Sequence, residues 1–598
     1  MYRSKILKAA GAAGLVAAVM APLPATADEA AVSPCGTGGV FTAGTPTCTY
    51  TGVGTDTFTV PAGVTEVTAD LFGAEGGSAA GFVQPAPPNA GAPGGLGGET
   101  RAVLAVTPGQ TLQITVGGVG SSGTSRHGEF ARPGGRGHGS GGGGAHGGGG
   151  SGGGASDLRT GAFGAADRVL VAGGGGGAGN GGPLLRGGAG GGLEAEPGGQ
   201  GGGPDGSGLA GGGGTQTAHG AGGPRNSNYG APGGAGSDID QYTGQPNPGS
   251  GGTGGNGGAG GPGGGGGGGG YFAGGGGSGG GNPGNLSGAG GGGGSGFAAP
   301  SATAVTLARG VQHGDGKAVV SFRYGASVSV TADDATPLFG RAVTLTATVA
   351  PENPAAGTPS GEVTFFDGTV PLGTAVLRDG RASLRTGVLQ PTTGHPVTAR
   401  YTGDAAFTPG STAGPAEITV GFSGPCLTTA HHGPLTVADG EALCIGAGGS
   451  QTGPVTVHPG GALAVTDASV TGPVSADGAL ALTVCHSELT GPLGIERSTG
   501  PVVVGSDREG AACAGNTLRG PLTVEGNTGG VEVSANTVTG AVRISANSGT
   551  GPLPEALAPA FRANRVTGPL RCEGNDPELL QSGTTATGAR TGQCRPTD

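Results

Sequence analysis

Few residues of this chain have the type and spacing to do chemistry, and the eight cysteines come first. They fall in sequence order as Cys35 and Cys48, Cys426 and Cys444, Cys485 and Cys513, Cys572 and Cys594. No Cys-x-x-Cys or His-x-x-x-His spacing accompanies them, so a zinc site is disfavoured. An even number in a chain with an export-like start favours disulfides. Eight cysteines allow 105 connectivities. Pairing of neighbours is the simplest, and each pair would close a short loop. Hydrolysis or elimination on a glycan would need carboxyls on one face, or an acidic cluster holding calcium beside an arginine. The acids of the C-terminal third, among them Asp439, Glu441, Asp477, Glu496, Glu509, Glu525 and Glu532, are scattered and do not recur at a fixed interval. His431 and His432 have no partner at metal spacing. The single lysine after the N-terminal stretch, Lys317, is followed by Ala318, so the glycines make no phosphate loop. No catalytic, cofactor-binding or metal-binding residue is expected, and the chain reads as a non-enzyme without cofactors.

Two other sets of polar residues suit structural work. Asp157 and Arg159 interrupt a long glycine tract, and Asp157 is expected to cap backbone amides where the tract re-enters a strand. Asn516, Asn527, Asn536 and Asn547 are spaced 11, 9 and 11, so alternate members are 20 apart. Side chains one coil apart in a solenoid stack, which predicts an amide ladder.

The elements that hold these residues follow from composition. The chain has 598 residues, 150 of them glycine, and a formal charge of −11. That length calls for several folding units. Residues 1–27 read as a secretory signal: Arg3, Lys5 and Lys8, then a short apolar stretch, then Ala25-Thr26-Ala27. Its removal takes away three basic and no acidic residues and moves the charge to −14. An acidic chain without a basic stripe is a poor nucleic-acid ligand. No segment is apolar for long enough to span a bilayer. The expected location is extracellular, or non-covalently held at the cell surface.

Residues 28–325 form the first unit. Alternating segments such as Thr65 to Phe72, Thr111 to Val116 and Lys317 to Phe322 predict an antiparallel sandwich. The glycine tract, from about Gly134 to Gly296, lies between its strands rather than after them. Glycine-rich chain is a loose coil by default. The competing structure is a bundle of left-handed, three-residue-per-turn helices, which pack closely only where no Cβ intervenes. Residues 327–421 show short alternating strands at the spacing of an immunoglobulin-like sandwich. Residues 423–598 repeat Gly-Pro plus an apolar residue, at Gly433, Gly453, Gly472, Gly491, Gly500, Gly520, Gly551 and Gly568. A period near 20 with short Val-rich strands predicts a parallel β-solenoid.

Some of these segments resemble known families. Thr59-Val-Pro-Ala-Gly-Val-Thr-Glu-Val67, Val106-Thr-Pro-Gly-Gln-Thr-Leu112, Gly152-Gly-Gly-Ala-Ser-Asp-Leu-Arg159 and Val169-Leu-Val-Ala-Gly-Gly-Gly-Gly176 are similar to bacterial relatives of the glycine-rich ligand-binding domain of anaplastic lymphoma kinase receptors. The resemblance covers about residues 40 to 325. It implies a jelly-roll-like sandwich carrying packed polyglycine helices, and it carries over no ligand-binding residue. Gly361-Glu-Val-Thr-Phe-Phe-Asp-Gly368 and Tyr401-Thr-Gly-Asp-Ala-Ala-Phe407 resemble bacterial Ig-like repeats, which implies a spacer or adhesive stalk. The expectation is therefore an all-β, secreted, structural or adhesive protein that displays a rigid glycine-rich domain. Its partner would be a surface glycan or a protein. The alternatives are a carbohydrate-active β-helix enzyme and a module for one specific protein ligand.

Overall fold

The computed structural model describes residues 33–80, 91–124, 134–137, 141–145, 147–200, 208–224, 231–237, 254–258, 262–280, 287–391, 394–507, 513–549 and 559–595. The expected signal, residues 1–27, lies outside them, as do Glu509 and Gly551. The chain is all-β, with two single 3-10 turns, Ala165–Asp167 and Pro354–Ala356, as the helices among the described residues.

The first unit pairs two antiparallel sheets. One runs in the order Val40–Thr42, Thr47–Tyr50, Lys317–Phe322, Glu66–Phe72, Gly97–Ala105, Thr303–Gln312. The other runs Gly54–Thr59, Thr111–Val116, Ser156–Arg159, Arg168–Ala172, Phe297–Ala298. Strands from either end of the glycine tract are thus neighbours in one sheet. Period-2 alternation turns Val67, Ala69 and Leu71 inward onto Leu112, Ile114 and Leu158, all buried.

Outside Ser156–Arg159, Ala165–Asp167 and Arg168–Ala172, the described residues of the tract form neither strand nor helix, so the expected polyglycine helices are not found as helices. Its backbone is nevertheless paired, in a rotation of three. Gly174, Gly177 and Asn180 donate to the carbonyls of Gly269, Gly266 and Gly263. Gly175 and Ala178 donate to Ala74 and Gly77, and Gly176 and Gly179 to Gly188 and Leu185. The segment at 288–294 does the same. Gly288, Gly291 and Gly294 reach Asn180, Gly177 and Gly174, while Ala289 and Gly292 reach Ser278 and Gly275. Most of these glycines have no left-handed φ. What requires glycine here is proximity: a Cβ on Gly291 would strike the Gly266 carbonyl oxygen, and one on Gly268 that of Gly174.

The Ig-like unit has a three-stranded sheet, Ala326–Ala332, Ala342–Pro351 and Arg381–Val388. It faces a second sheet built on Glu362–Asp367, Val370–Val376 and His395–Tyr401. A short strand, Gly410–Ser411, pairs with the end of His395–Tyr401. Phe365, Tyr401 and Phe407 fill its core.

The C-terminal unit is a parallel β-solenoid with three sheets, of eight, eight and seven strands. Its interior is a column of aliphatics such as Val457, Val484, Ile495, Val524 and Ile544. The Gly-Pro repeat resolves into one true corner column: Gly433, Gly453, Gly472, Gly491, Gly520, Gly540, Gly568 and Gly588. From Gly453 to Gly588, a Cβ on each would press on the preceding glycine of the column. Gly500, grouped with them by sequence, sits at a different corner, against Leu480. The apolar core is continuous from Cys48 through the Ig-like unit to Ala442, Ala462, Ala464 and Ala481 of the solenoid. Thr483 also donates to Gln390 Oε1 at 2.7 Å, so the spacer is packed onto the solenoid.

Candidate functional site

The cysteines join as Cys35–Cys48, Cys426–Cys444, Cys485–Cys513 and Cys572–Cys594. The first closes the entry to the sandwich and the other three tie segments of the solenoid.

Asp157 and Arg159 lie on Ser156–Arg159, the middle strand of the five-stranded sheet, and are buried. Asp157 is the centre of an ion-pair node. Asp157 Oδ2 accepts from Arg159 Nε at 2.9 Å and Nη2 at 2.7 Å, and from Arg168 Nε at 3.0 Å. Arg159 Nη1 also donates to the Phe163 carbonyl at 3.0 Å. Arg168 arrives from the adjacent strand, where its register opposite Arg159 brings it to the same carboxylate. Arg168 opens the apolar strand Arg168–Ala172, and nothing in its local sequence marks this partnership. Burial lowers the pKa of Arg168, and the Asp157 charge opposes that shift. The neighbouring Ser156 hydroxyl donates to the Phe72 carbonyl at 2.7 Å and accepts from Gly117 N at 3.0 Å. The whole Ser-Asp-Leu-Arg motif thus ties one sheet to the other and to the tract.

A second carboxyl group in this unit escaped the sequence reading. Asp70 is pushed up to about 6, by burial first and then by Glu99, with Arg101 and Lys317 opposing. Lys317 Nζ in turn lies 4.2 Å from the centre of the Phe72 ring.

In the solenoid, the acids do recur, contrary to the sequence reading. Asp477, Glu496, Glu525 and Glu573 occupy one register column, interrupted by Ser545. Two coils are lengthened by insertions, which hid the interval. Each acid is matched by arginine: Arg497 lies 2.5 Å from Asp477 and 3.5 Å from Glu496. Arg543 lies 2.9 Å from Glu525, and Arg571 2.7 Å from Glu573. These pairs are exposed and contribute little each. Glu532 stands apart from Glu525 on another sheet, buried, accepting from Ser506 Oγ at 2.8 Å and 3.7 Å from Arg562. Glu441 accepts from Ala438 N at 3.0 Å in its own turn. His431 bonds Gln451 Oε1 at 2.7 Å. Among the described residues no cluster of three or more His, Cys, Asp or Glu side chains could hold a metal ion.

The four asparagines form two ladders, each longer than the sequence spacing indicated. Asn516 Nδ2 donates to Asn536 Oδ1 at 2.9 Å, and Asn536 Nδ2 to Asn564 Oδ1 at 3.0 Å. In the second ladder Asn527 donates to Asn547 at 2.8 Å, Asn547 to Asn575 at 2.9 Å, and Asn575 to Gln593 at 2.7 Å. Each amide's other hydrogen goes to a backbone carbonyl inside the coil, such as Val504 O at 2.7 Å from Asn536. Asn564 and Asn575 were missed because an insertion places them 28 residues on. The local signal for them is a small residue just before the amide: Ala535, Ala546, Ala563 and Gly574 precede Asn536, Asn547, Asn564 and Asn575, and all four have positive φ.

Residues 330–421 match the bacterial Ig-like domain (group 3), in agreement with the sandwich described there. No curated protein matches the chain.

Proposed function

We propose that this chain is a non-catalytic extracellular or surface protein, structural or adhesive, that presents its glycine-rich domain on an Ig-like spacer and a solenoid. The observation that carries the reading is the three-way rotation of backbone hydrogen bonds in the glycine tract. Such a rotation is what neighbouring polyproline II-like helices would make, since three residues per turn send successive amides to three neighbours. A tract held in this way keeps its shape at a distance from the cell, which a coil does not. Disulfides and an Ig-like domain support an oxidising exterior. No helix among the described residues is long and apolar enough to cross a membrane. The bacterial relatives of the receptor glycine-rich domain are the fold analogue we infer for residues 28–325. Two polar sets serve structure: Asp157 binds two arginines, and the asparagines bind one another.

The test is export and attachment in a bacterial host. The processed chain should begin after Ala27 on N-terminal sequencing, and should fractionate with the medium or the salt-extractable surface. It should release no reducing ends or unsaturated products from a polysaccharide panel. Retention in the cytoplasm, or turnover of any polysaccharide, would overturn the reading.

A further inference from the structure

The strands Glu66–Phe72 and Gly97–Ala105 adjoin the glycine tract. Gly73 donates to the Gly98 carbonyl and Gly98 to the Gly173 carbonyl, each at 2.9 Å. A Cβ on Gly97 would strike the Gly73 carbonyl oxygen, and one on Gly98 the Gly191 Cα. The spacing of this strand pair therefore sets the spacing of the glycine segments beside it. Asp70, Phe72, Glu99 and Arg101 point outward, alternating with the buried Ala69, Leu71, Thr100 and Ala102. Asp70 stands opposite Arg101, and Phe72 opposite Glu99. On the other flank, Lys317–Phe322 places Val319 opposite Asp70 and Lys317 opposite Phe72. Diagonal neighbours in such a ladder lie about 7–8 Å apart, within reach of long side chains. Asp70 thus has Glu99 on one side and Lys317 on the other.

Asp70 lacks a donor. Its Oδ1 is buried, and among the described residues no N–H or hydroxyl reaches it. Its Oδ2 lies 3.9 Å from Arg101 Nη1, too far for a hydrogen bond. Lys317 Nζ is engaged over the Phe72 ring, 4.2 Å from its centre. Arg309, on the strand beyond Gly97–Ala105, lies beside Gly192. What does approach Asp70 is the Glu99 carboxyl, which acts on it both as a like charge and as a hydrogen-bond partner. Two carboxylates cannot hydrogen-bond each other. One proton held between them removes the repulsion and supplies the missing donor.

We propose that Asp70 and Glu99 bind one proton between them and form an acid-operated clamp on the glycine tract. With the proton bound, the carboxyl pair draws the two strands together. With it lost, like charges face each other across them. The other charges facing the pair are Arg101, from the same strand as Glu99, and Lys317, from the opposite flank. Both favour loss of the proton, and burial together with the Glu99 charge outweighs them. Asp70 is pushed up to about 6, against about 3.9 for an unfolded aspartate. The folded chain therefore holds a proton that the unfolded chain has released. Stability is gained as the pH falls through about 6 and lost as it rises, the reverse of a salt-bridged aspartate.

The experiment is hydrogen exchange of the full processed chain at pH 5, 6 and 7.5, with rates corrected for the intrinsic pH dependence of amide exchange. Peptides across 66–76, 97–105 and 173–177 report the clamp, and those of the Asn527–Asn547 ladder serve as reference. In the parent, the opening constant should fall about ten-fold from pH 7.5 to pH 5. Asp70→Asn, which cannot ionise, should show no such change and should be at least as protected as the parent at pH 7.5. Glu99→Gln should flatten the profile in the same way, and serves alone if Asp70→Asn does not fold. Arg101→Gln removes an opposing charge and should move the transition to higher pH. A parent profile that is flat relative to the ladder, a slope that survives in Asp70→Asn or Glu99→Gln, or an unmoved transition in Arg101→Gln would overturn the inference. So would lower protection of the two carboxyl variants at every pH, which is the mark of a merely structural role.

Discussion

Replacing Asn536 by Ala tests whether the amide ladder holds the solenoid together. Asn536 is buried, and its side chain makes four hydrogen bonds. Its Oδ1 accepts from Asn516 N and Asn516 Nδ2, each at 2.9 Å. Its Nδ2 donates to Val504 O and to Asn564 Oδ1. Alanine would leave the two Asn516 donors and the Val504 carbonyl without these partners. Asn564 Oδ1 would keep the backbone amide of residue 536 at 2.9 Å. At about 1–3 kcal/mol for each orphaned buried group, the loss is about 3–6 kcal/mol after local relaxation. A single melting temperature is ill defined for a chain of several units. The readout is therefore the opening free energy from native-state hydrogen exchange of peptides across residues 502–547 in the full chain. Amides of the Ig-like core serve as internal reference. Thr537→Ala, one residue away but exposed, should change stability by no more than about 0.5 kcal/mol. Asn536→Asp keeps the acceptor but buries a charge facing a carbonyl, so it should be worse than Ala near neutral pH and recover as the pH falls. A loss below about 1 kcal/mol for Asn536→Ala, with the ladder peptides still protected, would refute the argument.

In the glycine tract, Gly291→Ala should abolish slow exchange around 174–180 and 263–270. Gly182→Ala, whose Cβ would meet nothing within 4 Å, should leave it intact. Asp157→Asn should cost about 3–5 kcal/mol, because it leaves two buried guanidinium groups without their carboxylate. The double change with Arg168→Met should recover part of that loss, as measured by protection of Leu158 and Leu170. His395 is buried, with Nδ1 2.6 Å from Asp367 Oδ2 and Nε2 2.6 Å from the Gln390 carbonyl, so only the imidazolium satisfies both acceptors. Burial alone would lower its pKa, but the bonds to Asp367 and Gln390 carry it above the ordinary value. Its stabilisation should be complete below about pH 6.5 and vanish as pH rises through the folded-state pKa. Exchange of the Gln390 segment should speed up over that window in the parent and not in His395→Gln.

Legibility in the sequence tracked how local the cause was. Alternation over Thr111–Val116 and Lys317–Phe322 reports burial of every second residue, so those strands could be placed from pattern alone. The period of 20 reports coil stacking, and it located Asn516 with Asn536 and Asn527 with Asn547. It failed where two insertions stretch the coil. The same insertions concealed Asn564, Asn575 and the column from Asp477 to Glu573, because register survives an insertion that a fixed interval does not. Arg168 was unreadable for a different reason. Its partnership with Asp157 depends on which strands are adjacent and in what register, and nothing near it in sequence marks that. The glycine tract shows the converse. Its composition alone fits a coil as well as a lattice, and the deciding fact is long-range: Phe297–Ala298 pairs with Arg168–Ala172, so the tract must leave and return to one sheet. A chain so confined must pair its buried amides with something, and where every neighbour is glycine the nearest acceptor is another segment's carbonyl. The glycines therefore act by what they leave out. Gly291 admits the Gly266 carbonyl in the tract, and Gly472 admits the Gly453 carbonyl in the solenoid corner. One device, removal of Cβ to let two backbones touch, packs both the segments of the glycine tract and the coils of the solenoid.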